Sequence, residues 1–183
     1  AHDAEDGRQT ADVTLRMPGV HNVYNALAAI AAVTRLGVKF EDACASLEKF
    51  EGIKRRFDIV GTSANNVTVI DDFGHNPDKI SATLRTLHDF PGRLIVMFQP
   101  HGFGPLRKMK DEFVETFVKG LSDEDVLLMP QPVYFGGTVD RSVTSKDLTD
   151  EIAAAGKRAE TQETRVDCGD RIVELVKPDD RIV

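Results

Sequence analysis

Val67-Thr68-Val69-Ile70-Asp71-Asp72-Phe73-Gly74-His75-Asn76-Pro77 decides how this chain folds. The β-branched run Val67 to Ile70 reads as a short strand. Its C-terminal end delivers two carboxylates and, three residues later, an imidazole. Asn76 then has the side chain of a helix N-cap, and Pro77 suits the first helical position. In an open α/β sheet ligands bind outside the carboxyl ends of the strands. Acidic groups, a His and a helix N-terminus therefore meet in one small volume.

The pattern repeats on either side of this corner. Upstream, Phe57-Asp58-Ile59 alternates as a half-exposed strand, and Asn65-Asn66 is a turn leading into strand 67–71. Downstream, Ile80, Leu84 and Leu87 mark the inner face of a helix over 77–89. Leu94-Ile95-Val96-Met97-Phe98 is a continuous apolar run, as in a strand covered on both faces. A helix over 106–119 presents Leu106, Met109, Phe113 and Phe117, and Val126-Leu127-Leu128-Met129 is a second buried strand. A Gly/Pro-rich loop, 130–138, precedes a helix capped by Ser145. A short strand near 164–167, a helix near 169–176 and a strand beginning after Lys177-Pro178 complete the chain. Strands alternating with helices imply a Rossmann-like, doubly wound, mostly parallel sheet with helices on both faces.

A short helical segment precedes this sheet. Residues 11–16 alternate like a strand, and Pro18-Gly19 breaks the chain. Val23, Leu27, Ile30 and Ala31 then recur at helical spacing up to Gly37. Phe40, Cys44, Leu47 and Phe50 mark a second helix. The change from helices to strands puts a boundary near residue 50. The expected division is 1–50, and then 51–183 as the Rossmann-like domain, cut within its last strand.

Composition narrows the function classes. The net charge of -7 argues against nucleic acid or an anionic membrane surface as partner, since both want a basic face. The sequence has no stretch of the ~20 apolar residues that spans a bilayer, and its first residues lack the apolar core of a signal peptide. Cys44 and Cys168 stand far apart and make no disulfide framework, which points to a reducing cytoplasm.

Four constellations carry chemistry. Asp71 and Asp72 can bind a cation, accept from ribose hydroxyls or act as a base; the plain alternative is a solvated capping turn. Phe98-Gln99-Pro100-His101-Gly102-Phe103-Gly104 brings a second imidazole to a strand end, which suits an anionic or amino-acid ligand. Lys54-Arg55-Arg56-Phe57 reads as strand, with one arginine able to reach a phosphate and the other meeting solvent or a carboxylate; the plain alternative is a solvated basic edge. His21-Asn22-Val23-Tyr24-Asn25 sets Asn22 and Asn25 on one helix face, where two amides can read an adenine edge, or where Asn22 simply caps the helix. No His/Cys/Asp/Glu cluster has structural-zinc spacing, and no metal ligand is assigned. The phosphate loop G-x-x-x-x-G-K-[ST] does not occur in these residues.

Taken in order, Gly19-x-His21-Asn22-x-x-Asn25-Ala26-x-Ala28-Ala29, Gly52-x-x-Arg55-Arg56-Phe57, Asp71-Asp72-Phe73-Gly74-His75-x-Pro77 and Phe98-Gln99-Pro100-His101 resemble the Mur ligase family. The likeness is greatest to its UDP-N-acetylmuramate–L-alanine ligase and murein-peptide ligase branches. It covers the chain from about residue 11 to its end. The resemblance implies the tail of a central ATP-binding domain followed by most of the C-terminal domain. The implied enzyme is an ATP-dependent amide ligase of peptidoglycan precursor synthesis or recycling, acting through an acyl phosphate. Its ATP triphosphate and Mg2+ would be held mainly by the central domain. Its partners would be a UDP-N-acetylmuramate-type substrate, an amino acid or peptide, and the remainder of its own chain. The implied roles are Asn22 and Asn25 at adenine, Arg56 at the phosphates and acyl phosphate, and Asp72 at ribose. His75 and His101 would lie near the acceptor or the phosphorylated carboxylate. The sequence departs from the alanine ligases where they carry loop arginines, having Gly102 and Pro105 instead; Arg107 is the nearest cation. That leaves the acceptor open. A non-catalytic ligase-like binding domain is the alternative. A receiver-type phosphoacceptor domain fits poorly, because strand 94–98 ends in Gln99-Pro100 rather than an Asp.

Overall fold

The structure, a computed structural model, describes residues 9–134 and 136–183. The chain forms two compact units, one up to Arg56 and one from Phe57 to Val183.

The first unit is a helix pair, α1 (Val20–Arg35) and α2 (Phe40–Lys49). Gly19, at φ 97°, is the residue before the first turn of α1, a left-handed conformation that favours glycine. Asn22 therefore lies inside the helix and is not its cap. Its side-chain amide instead donates to the Pro18 carbonyl at 2.7 Å. Residues 11–16 form no strand. Cys44 and Ala43 are buried on α2.

The second unit is the sheet. Its strands are β1 (Asp58–Thr62), β2 (Thr68–Asp71), β3 (Leu94–Met97), β4 (Val126–Pro130), β5 (Arg158–Gln162) and β6 (Arg181–Ile182). Their order is β1-β2-β6-β3-β4-β5. Among the described residues only β1 runs antiparallel to its neighbour in this sheet, and its other strand pairings are parallel. The helices are α3 (Pro77–His88), α4 (Phe103–Lys108), α5 (Lys110–Gly120), α6 (Ser145–Ala154) and α7 (Arg165–Leu175).

The pleat sorts the apolar residues into two cores. Leu94, Val96, Leu127 and Met129 join Leu84 and Leu87 of α3, Phe113 and Phe117 of α5, and Leu148 and Ile152 of α6. Ile95, Val126 and Leu128 point the other way, onto Cys168 and Ile172 of α7. Helices thus cover both faces, as the doubly wound reading requires. Cys168 is wholly buried, and burial pushes its thiol up to about 11, which makes it a core side chain and not a nucleophile.

Three boundaries differ from the sequence reading. The helix expected over 106–119 is two helices, broken at Met109 (φ -112°, ψ 19°). The strand expected near 164–167 is β5 at 158–162, and the following helix begins at Arg165. Thr144, not Ser145, caps α6, through a reciprocal capping box with Asp147. Ser145 is the first helical residue, and its hydroxyl donates to the Pro130 carbonyl at 2.6 Å.

The edge of the sheet away from strand C-termini is tied by charge. Arg93 holds Asp180 through two bonds, Nε–Oδ1 at 3.1 Å and Nη2–Oδ2 at 2.5 Å. The buried Arg181 guanidinium donates to the Leu87 and Gly92 carbonyls. Burial alone would raise the Asp125 carboxyl, but the Leu94 and Ser122 amides and the His88 ring together hold it below the ordinary aspartate range. These contacts fix β6 between β2 and β3, and thereby set the spacing of the loops at the opposite edge.

Candidate functional site

Two loops leave the C-terminal edge of the sheet on either side of β6: the 71–77 corner after β2 and the 98–102 turn after β3. With strands ~4.8 Å apart, one intervening strand puts their roots about 10 Å from each other.

Asp72 organises the first loop. Its Oδ2 accepts from the Phe57 amide at 3.0 Å and its Oδ1 from the Thr83 hydroxyl of α3 at 3.2 Å. A carboxylate has about four lone-pair positions, so two such bonds leave acceptor capacity. Gly74 sits in a tight spot: a Cβ there would stand 3.1 Å from Asp72 Oδ1. Asn76 caps α3 as the sequence predicts, accepting from the Lys79 amide at 3.0 Å, with Pro77 in the first turn.

His75 is exposed. Its Nδ1 is 3.1 Å from the Phe73 carbonyl, and its ring lies 5.1 Å from that of Phe73. A carbonyl only accepts, so this bond requires a proton on Nδ1. The neutral ring then carries its lone pair on Nε2.

The second loop is anchored from below and from the side. Phe98 packs at 5.2 Å from Phe113 and 5.5 Å from Phe117. Gln99 donates to the Gln131 carbonyl at 3.0 Å, which ties this loop to the one after β4. His101 is exposed at its tip. Arg107, on α4, pairs with Asp140, whose other oxygen accepts from the Ser142 amide at 2.9 Å. Arg141, next in the chain, lies over two aromatic rings, 4.3 Å from Tyr134 and 5.5 Å from Phe103. Sequence reading did not single out Arg141, since only the fold brings residues 134, 141 and 103 together.

In the first unit, Asn22 and Asn25 line a cavity of about 320 Å³ together with Met17, Ala26 and Phe50. His21 Nδ1, on the same helix, is buried with no hydrogen-bond partner among the described residues. Arg56 is exposed and lies in a turn, not in the strand expected over 54–57. It stands between Arg55 (φ 62°) and Phe57 (φ 53°), two non-glycine residues in the left-handed region, at a cost of about 1–3 kcal/mol each. Asp72 holds the second of them by its amide. Among the described residues no group of three or more His, Cys, Asp or Glu is placed to hold a metal ion, and no helix is long and apolar enough to cross a membrane.

A mostly parallel sheet with helices on both faces and two histidine-bearing loops at its C-terminal edge defines a doubly wound α/β domain. Residues 55–183 match the family model of the Mur ligase, glutamate ligase domain. UDP-N-acetylmuramate–L-alanine ligase of Geotalea daltonii is 35% identical over 97% of this chain and 38% of its own length. The ligase of the same name from Agrobacterium fabrum is 39% identical over 94% of this chain and 36% of its own. Among solved structures, the UDP-N-acetylmuramate-alanine ligase of Thermotoga maritima superposes with a TM-score of 0.74 at 30% identity, covering 96% of this chain and 36% of that one. A murein peptide ligase from Psychrobacter arcticus gives 0.66 at 28% identity, covering 98% and 36%. The chain belongs to the Mur ligase family. It spans just over a third of the length of the curated relatives it matches.

Proposed function

We propose that this chain is the C-terminal part of an ATP-dependent ligase. The enzyme joins an amino acid or peptide to the carboxylate of a UDP-N-acetylmuramate-type substrate, in peptidoglycan precursor synthesis or recycling. On this reading residues up to about 50 are the tail of the central domain, and 51–183 the Rossmann-like domain. ATP and the nucleotide sugar place the reaction in the cytoplasm. The observation that carries the reading is the 71–77 corner, where one engaged carboxylate and one imidazole of defined tautomer stand at a strand end, in a chain of this family.

The chemistry runs in two steps. The substrate carboxylate attacks the γ-phosphorus of ATP; the bond to ADP breaks and an acyl phosphate forms. The acceptor amine then attacks the acyl carbon, the C–O bond to phosphate breaks, and an amide and phosphate result. Charge develops on phosphate oxygens throughout, so positioned cations contribute most. Arg56 serves the phosphates. Asn22 and Asn25 serve the adenine edge, the amides of a largely apolar cavity of suitable size. Asp72 uses its remaining lone pairs for the ribose hydroxyls. His75 Nε2 takes the proton that the amine must lose, and His101 and Arg107 belong to the acceptor side. Mg2+, which would neutralise charge on the phosphates, and the triphosphate are assigned to the central domain.

Asp72→Ala in the full-length protein tests the ribose role. A hydrogen bond to a charged group contributes about 1.5–3 kcal/mol, so KM for ATP should rise about tenfold or more while KM for the acceptor stays within about twofold. An unchanged KM for ATP contradicts the assignment.

A further inference from the structure

The departure at Gly102 and Pro105 leaves the loop after β3 without a cation directly at His101. We infer that Arg141, from the loop after β4, is the specificity-determining residue that anchors the carboxylate of the incoming acceptor; this rests on the ligase reading above.

Four observations carry it. Arg107, the cation the sequence offers, is engaged by Asp140. The other Asp140 oxygen accepts from the Ser142 amide, and it is Arg107, not Arg141, that pairs with this carboxylate. Among the described residues Arg141 has no carboxylate partner. Its guanidinium is instead held against the faces of Tyr134 and Phe103. The ring faces attract the cation electrostatically. More usefully, this stacking fixes the plane of the fork and leaves the N–H edge for bidentate recognition of a carboxylate. Phe103 is two residues beyond His101, and the two loops are bonded through Gln99 to Gln131 at 3.0 Å and Val133 to Pro100 at 3.4 Å. Tyr134 is itself fixed by its hydroxyl, which donates to the Gly137 carbonyl at 2.8 Å. A planar cation is thus held against the segment that follows His101.

Every amino acid or peptide acceptor presents an amine to the reaction and a carboxylate at its other end. A primary amide keeps the amine and loses the anion. Titration of the 183-residue chain with L-alanine should therefore shift the Arg141 Nε–H resonance, and titration with L-alaninamide should not. In the full-length protein, Arg141→Ala should raise KM for the free amino acid about tenfold or more, leaving kcat and KM for ATP within about twofold. KM for the amide should not move, and Arg141→Lys should recover part of the loss. A silent Arg141 resonance with L-alanine, or an equal rise in KM for acid and amide, overturns the inference. An Arg141 shift in a protein that turns over no acceptor would keep the carboxylate site and sink the ligase reading.

Discussion

His75 is defined by one hydrogen bond. The Phe73 carbonyl requires a proton on Nδ1, so Nε2 is the basic atom of the neutral ring. If it removes the amine proton, it acts after phosphoryl transfer. His75→Ala should then lower amide formation by about 10²-fold or more, while acyl phosphate, trapped as the hydroxamate with hydroxylamine, still forms. Equal loss of both products would assign His75 to the first step instead. Asp72 shows how far residues alone can be read. The motif singled it out, but not that both oxygens already hold Phe57 and Thr83. Those partners lie 15 and 11 positions away, and only the hairpin and the helix bring them back. Arg141 was illegible for the same reason: its stacking partners come from two different loops.

At the scale of elements, legibility followed the strength of local signals. Helix α3 was readable from cap to end, because Asn76, Pro77 and the Ile80, Leu84, Leu87 spacing agree. Asn76→Ala should cost about 1 kcal/mol, seen as a lower urea midpoint with an unchanged slope; no change would mean that the Lys79 amide is satisfied otherwise. Strand β5 was misplaced because Arg158-Ala159-Glu160-Thr161-Gln162 is an edge strand with little apolar content. It is recognised by its ladder to β4, not by periodicity. The break at Met109 was hidden by a run of apolar residues, Leu106, Phe113 and Phe117, that keep one helical spacing across it. Arg55 and Arg56 were read as strand, yet the chain there turns through two left-handed residues. A basic cluster carries no signature of such a turn.

The second unit is organised around a central strand that the sequence shows only as its last apolar residues. Placing β6 between β2 and β3 required Arg93, Asp180 and Arg181 to meet at one edge of the sheet. The result is a pair of histidine loops at the other edge, stitched to the loop after β4. The central claim is that these loops serve an ATP-dependent ligation. The most direct measurement is phosphate release by the full-length protein, with ATP, UDP-N-acetylmuramate and a panel of amino acids and peptides. The account predicts release that requires the nucleotide sugar and an acceptor together, matched by amide product, and no release by residues 1–183 alone. Release that is indifferent to either substrate, amide formation by the 183-residue chain, or no turnover with any acceptor would contradict it.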